Sequence, residues 1–242
     1  MKVVAIIQAR FGSTRLPGKV LLDLWGATAL QRCADRVRRI AGVDQVVVAT
    51  STEPKDDLVA SLAGRIGVMV VRGSESDVLS RYALAAERTA ADTVLRITAD
   101  CPFLDPEHAA AVLRAFVADD VEYASNVAER RLPRGLDTEV LSARALFAAD
   151  RAATDPLDRE HVTRFLYTRP ETHRCLSVVS SSVDYSSHRW TLDTPDDYHL
   201  LYQLHATLGA RAATASMNDV LQVLASSPAL EELNAHVQQK PS

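Results

Sequence analysis

The chain of 242 residues carries 27 Lys and Arg against 31 Asp and Glu, a net charge of −4, which excludes a broad nucleic-acid footprint. Apolar residues make up 47%, enough for one sizeable α/β core, and no apolar run approaches the roughly 20 residues that span a bilayer. Cys33, Cys101 and Cys175 are isolated, odd in number and without metal-ligand spacing, so reduced thiols are expected. Met1-Lys2 leads straight into an apolar run without the core of a signal peptide. A cytoplasmic location is therefore expected, with neither nucleic acid nor membrane as a partner.

Val3-Val4-Ala5-Ile6-Ile7 reads as a strand buried on both faces. Residues 8–19 cannot continue it. Gly12, Pro17 and Gly18 interrupt the pattern, and Arg10, Arg15 and Lys19 put three cations on one short loop. A strand feeding a cationic, glycine-bearing loop at the edge of a parallel sheet suits phosphates, with backbone N–H groups supplying geometry and Arg and Lys supplying charge. The loop is not a Walker motif: five residues separate Gly12 from Gly18, and Val20 stands where a Ser or Thr is needed. Composition alone leaves phosphate binding and an ordinary solvated loop both open.

Further along, periodicity predicts a helix over 27–41 stopped by Gly42, a strand over 45–50, and a helix over 55–66 closed by Gly67. A strand over 68–71, a helix over 77–91 capped by Ser76, a strand over 93–98 and a helix over 106–118 follow. Beyond residue 121 the pattern loosens. Strands are expected over 122–126, 139–141, 176–183 and 190–192, and helices over 143–153 and 159–167. Thr194 and Pro195 open a helix over 195–208, and Ser216 and Ser227 cap short helices over 217–225 and 228–237. Strands alternating with helices predict a three-layer α/β/α sandwich around a mostly parallel mixed sheet. One domain over 1–242 is expected, with 121–185 as a substrate-side or dimerisation insertion.

Asp100 and Asp193 each follow a strand directly, at the edge where ligands gather in open α/β sheets. Each has a plain reading as a helix cap. Facing three cations, the two together suit Mg²⁺ on a nucleoside triphosphate, because this ion takes few carboxylates and keeps phosphate oxygens and waters. Asp196 and Asp197 fall in a first helical turn, where stabilisation by the helix dipole explains them. Arg134 and Arg159 have the chemistry to grip a carboxylate, phosphate or phosphonate, and His161 to orient a hydroxyl or act as a base; surface ion pairing around Arg159 and Glu160 is the other reading. Lys2, Lys55 and the Arg36-Arg38-Arg39 group read as solvated surface, and Tyr198 with Tyr202 as a packed helix face.

The order Q-A-R-x-x-S-x-R-L-P-G-K over residues 8–19 resembles the signature loop of the sugar-activating cytidylyltransferases, the group of CMP-Kdo and CMP-sialic acid synthetases, and within it the SpsF-like branch. Arg96-Ile97-Thr98-Ala99-Asp100-Cys101-Pro102-Phe103 and Trp190-Thr191-Leu192-Asp193-Thr194-Pro195 resemble that family's two aspartate segments. The resemblance implies a nucleotide-diphospho-sugar-transferase fold. It also implies transfer of CMP from CTP to an oxygen of an acid sugar or small phosphonate, with release of pyrophosphate. Gln8, Ala9, Arg10, Gly12, Ser13, Arg15, Lys19 and Ala99 would border the nucleotide, and Arg72, Ser74 and Asp77 its base. Capping by Ser76 and Asp77 is the competing reading there, and the Gln-Ser-Gly-Thr-Glu run of the Kdo synthetases is absent. Asp100 and Asp193 would hold Mg²⁺ and act with Arg10 and Lys19 in catalysis. Arg134, Asp137, Glu139, Arg159, His161 and Arg189 would meet the acceptor. Relatives of this kind often dimerise, so a homodimer stays open. Two alternatives also remain: a glycosyltransferase of the same fold, although Asp100-Cys101-Pro102 lacks the second acid of a D-x-D motif, and a nucleotide-binding protein without turnover.

Overall fold

The computed structural model of the chain describes residues 1–179 and 181–239. Four strands, Val3–Gln8 (β1), Gln45–Ser51 (β2), Met69–Gly73 (β3) and Thr93–Thr98 (β4), pair in parallel in the order β3-β2-β1-β4. Tyr123–Ser125 (β5), Glu139–Ser142 (β6) and Cys175–Ser177 (β7) extend the sheet beyond β4: β6 lies antiparallel to β4 and to β5, and β7 parallel to β5. The result is a seven-stranded, mostly parallel mixed sheet in which β6, β5 and β7 supply the far edge.

Ten helices accompany it among the described residues: Ala29–Val37 (α1), Asp57–Arg65 (α2), Val78–Thr89 (α3), Pro106–Ala118 (α4), Ala143–Ala152 (α5), Pro156–His161 (α6), Arg164–Tyr167 (α7), Pro195–Leu208 (α8), Met217–Ser226 (α9) and Ala229–Glu232 (α10). The apolar run of β1 explains the layering. Val3, Ala5 and Ile7 face one way, onto Leu30, Cys33, Ala34 and Val37 of α1, Val59 and Leu62 of α2, and Leu113 of α4. Val4 and Ile6 face the other way, onto Leu79 and Tyr82 of α3 and Leu146 of α5. Every side chain of a central strand is thereby removed from water, so β1 shows no polar alternation. A third apolar cluster joins Leu24, Phe103 and Trp190 to α8 and α9.

Several expected elements differ. The helix over 159–167 is split by Val162, which is buried at φ 56, a costly conformation for a β-branched residue, and α6 and α7 flank it. Asp77 rather than Ser76 caps α3, its carboxylate accepting from Ser80 N at 3.0 Å. Ser227 does not open the last helix: it is the C-cap of α9, its N–H donating to Leu224 O, and α10 is a single turn entered through Pro228. Where a strand is expected over 176–183, the described residues form one only over Cys175–Ser177; residue 180 lies outside them. Residues 190–192 make no strand of the sheet, because Trp190 N donates to Arg134 O and Leu192 N to Asp100 O, on two different loops. Arg36 is not solvated. Its guanidinium is buried, donates to the carbonyls of Leu104, Ala212 and Ala215, and lies 5.2 Å from the Phe103 ring centre.

Candidate active site

Chain direction makes one crevice special. From β1 the chain builds outward through β2 to β3, then returns to place β4 on the other side of β1. Beyond the carboxyl ends of β1 and β4 the flanking loops part, which opens a cleft. The loop leaving β1 is closed by Gly18 N donating to Phe11 O at 2.9 Å, and a short 3-10 turn over Lys19–Leu21 then carries Lys19. The ladder of β4 runs one residue further through Ala99 N to Gln8 O, which sets Asp100 opposite. Asp100 O also accepts from Leu192 N at 2.8 Å, drawing the late segment and Asp193 into the same place.

Lys19 Nζ donates to Asp100 Oδ2 at 2.5 Å and to Asp193 Oδ1 at 2.7 Å. The other oxygen of Asp193 lies 2.6 Å from an Arg189 nitrogen and 3.3 Å from one of Arg15. Two acids and three cations thus form one cluster at the β1/β4 cleft, with the Lys19 side chain 13% exposed. Burial pulls the Lys19 ammonium down, but the two carboxylates outweigh it and hold its pKa above the ordinary value. Burial likewise pushes the Asp100 carboxyl up, and Lys19, with a hydrogen bond from Thr98, more than reverses this, so it sits below the usual range.

Asp193 is fixed from behind by residues whose role the sequence hid. Asp197 is fully buried and accepts from the backbone N–H groups of Asp193 and Thr194, both at 3.0 Å. It also receives Arg189 Nε and Asn234 Nδ2, each at 2.9 Å. The legible part of this signal was the capping box of Thr194 and Asp197 at the head of α8. Arg189 is itself held by the backbone: Arg134 N donates to His188 O and Trp190 N to Arg134 O. Gly135 permits that approach, since a Cβ there would lie 2.6 Å from Trp190 O, and its φ is +103.

The other expected site residues fall into distinct places. Gln8 ends β1 with a buried side-chain oxygen that has no hydrogen-bond partner. Arg10 makes no ion pair among the described residues, Ser13 Oγ accepts from Leu16 N, and Gly12 lies beneath the Lys55–Glu75 pair. Arg72 is tied to Ser51 O, Glu53 O and Asp57. Ser74 Oγ accepts from Asp77 N, and Asp77 both caps α3 and pairs with Arg159, which also holds Asp150. Asp137 pairs with Arg130. Glu139 is buried among Arg96, Tyr123 and Thr163. None of these last groups joins the Lys19 cluster. His161 ends α6, and its carbonyl accepts from Thr163 N. Arg134 is half-buried without a carboxylate partner among the described residues. Burial first, then Arg130 and Arg189 nearby, hold its pKa below the ordinary value.

Whether these residues suit a divalent cation is answered by Lys19. Carboxylate oxygens from two distant segments already converge on its single positive atom, and both are hard donors. Among the described residues no third acidic, histidine or cysteine side chain joins them to make a closed cage. Two protein ligands match Mg²⁺, which fills the remaining positions from phosphate and water.

The family model for cytidylyltransferases matches residues 4–240. The chain belongs to the cytidylyltransferase family. It is 32% identical over 234 residues to the spore coat polysaccharide biosynthesis protein SpsF of Bacillus subtilis, covering 93% of this chain and 95% of that one. A solved cytidylyltransferase from Leptospira borgpetersenii superimposes over 100% of both chains, with a TM-score of 0.91 and 30% identity. The fold alone is shared with the CMP:2-keto-3-deoxy-manno-octonic acid synthetase solved with CTP, at a TM-score of 0.62 and 21% identity over 86% of this chain and 99% of that one. The cytidylyltransferase is therefore a CTP-dependent nucleotidyltransferase with the fold of its relatives. Among its described residues no helix is long and apolar enough to cross a membrane.

Proposed function

We propose that this cytidylyltransferase transfers CMP from CTP to an oxygen of an anionic acceptor, an acid sugar or small phosphonate, in a Mg²⁺-dependent reaction that releases pyrophosphate. The observation that carries this reading is the convergence of Asp100 and Asp193 on Lys19 at the mouth of the β1 loop. Asp100 and Asp193 are the residues that would hold the ion, which would supply charge neutralisation to the triphosphate.

The chain's own groups do the rest. Backbone N–H groups of the β1 loop, with Arg10 and Arg15, seat the triphosphate, and Lys19 offsets charge on the departing pyrophosphate. The acceptor oxygen forms its bond to the α-phosphorus as the bond to the α,β-bridging oxygen breaks, and that electron pair leaves with pyrophosphate. Any proton on the attacking oxygen passes to water. Alignment and charge neutralisation are the main demands, since little covalent chemistry falls to the protein. Arg134, a guanidinium without a counter-carboxylate among the described residues, is the group assigned to the acceptor's anion. Asp197, through Arg189 and two backbone N–H groups, positions Asp193.

A thermal-shift screen of CTP, UTP, ATP and GTP with MgCl₂ tests the donor, followed by pyrophosphate release over a panel of acid sugars and phosphonates. CTP alone should raise Tm strongly, and an anionic acceptor should be required for pyrophosphate release. Equal stabilisation by all four nucleotides, or release only with neutral acceptors, would overturn the reading.

A further inference from the structure

Lys55 reads in sequence as solvated surface, yet its ammonium lies over the phosphate loop. A Cβ added at Gly12 would meet Glu75 Oε1 at 3.3 Å and Lys55 Nζ at 3.5 Å, so this pair packs directly against the bare glycine. The two side chains contact each other at 2.5 Å. They come from the turns after β2 and β3 and meet above the loop after β1, so three neighbouring parallel strands deliver them to one spot. Both backbones are anchored. Asp56, next to Lys55, is buried, accepts from Phe11 N at 2.6 Å and bonds Ser51, which welds the turn to the phosphate loop. Arg81 donates to the carbonyls of Ser74 at 2.7 Å and Glu75 at 3.1 Å.

The charges are arranged in an unexpected order. A loop bearing Arg10, Arg15 and Lys19, read here as the seat of an anion, has a carboxylate packed against its Gly12. Glu75 therefore stands in for that anion and holds a cation beside it. We propose that Lys55 is a further triphosphate-binding residue, kept in place by Glu75 until the nucleotide takes over its ammonium. This rests on the reading that the loop binds CTP. The arriving triphosphate carries several negative charges against one on Glu75, so Lys55 transfers to phosphate and Glu75 turns to solvent.

Calorimetric titration of the full chain with CTP and with CMP, in MgCl₂, separates the possibilities. Lys55→Ala should weaken CTP by about tenfold, the worth of one charge-assisted hydrogen bond, and leave CMP unchanged. Glu75→Gln should bind CTP at least as tightly as the unsubstituted chain, because a competing anion is gone. The opposite directions matter, since a merely structural ion pair would be broken equally by either substitution. Unchanged CTP affinity in Lys55→Ala, an equal loss for CMP, or any weakening in Glu75→Gln overturns the proposal while leaving CTP binding intact. Failure of the unsubstituted chain to bind CTP overturns both the proposal and the reading beneath it.

Discussion

Lys19 and Asp193 stand 174 residues apart in the chain and meet at 2.7 Å. The partner that makes this meeting useful is Asp100, 2.5 Å from the same nitrogen. Lysine between two acids is their counter-charge, and on the proposed reading it borders the ion and the triphosphate. Lys19→Ala should therefore lower kcat by about a thousandfold, the scale of one preorganised electrostatic donor, while the far-UV circular dichroism stays that of the parent. Near-normal pyrophosphate release in this variant would remove Lys19 from the reaction.

Asp197 never touches the cleft, yet it should matter as much to folding. Its carboxylate is buried against Arg189, Asn234 and two backbone N–H groups. Asp197→Ala leaves the 6% exposed guanidinium of Arg189 without its fully buried partner, a loss of about 3–5 kcal/mol on the scale of broken buried pairs. Urea denaturation reads this directly. A loss under about 1 kcal/mol would show that Asp193 is held by other means.

The ion pairs set the sign of the pH dependence. Asp100 and Glu139 are both pushed up by burial and pulled further down, by Lys19 and Arg96 respectively, to below their ordinary values. Their stabilisation is fully present above the unfolded pKa of about 4 and is lost as pH falls through the depressed folded values. Lys19 has the opposite sign: raised above 10.5, it stabilises below that pH and its contribution is lost as pH rises through the folded value. Asp100→Asn should make the stability curve below about pH 4 shallower by up to about 1.4 kcal/mol per pH unit. Urea midpoints taken across the acid range supply the curve, and an unchanged slope would contradict the Asp100 shift.

Gly135 holds the cluster together from the backbone. A methyl group there would be driven into Trp190 O at a φ of +103. Gly135→Ala should cost about 2 kcal/mol or more through strain and displacement of the Arg134–Arg189 bridge. Calorimetric Tm measures it, and a wild-type Tm would mean that the bridge is dispensable.

Much of this was legible locally. The buried run of β1, the Pro-started α8 with its Thr194 cap, and Asp100 just beyond the end of β4 all declare themselves within a few residues. What stayed hidden depends on distant partners. Residues 190–192 look like a strand, but Trp190 and Leu192 find their hydrogen bonds on two different loops. Arg36 looks like surface until the carbonyls of Leu104, Ala212 and Ala215 surround it. Val162 breaks a helix that its sequence would continue, where Thr163 turns to meet the buried Glu139. Asp197 passed for dipole stabilisation because nothing nearby in the sequence reveals that Arg189 and Asn234 converge on it.

The most direct measurement is a Mg²⁺ titration of pyrophosphate release, from CTP and an accepted anionic acceptor, in the parent chain, Asp100→Asn and Asp193→Asn. If the two acids hold one ion for one triphosphate, each substitution raises the half-saturating Mg²⁺ concentration, and both reduce activity to a similar floor. A titration in either variant that overlays the parent's would show that Asp100 and Asp193 meet at Lys19 for structural reasons alone.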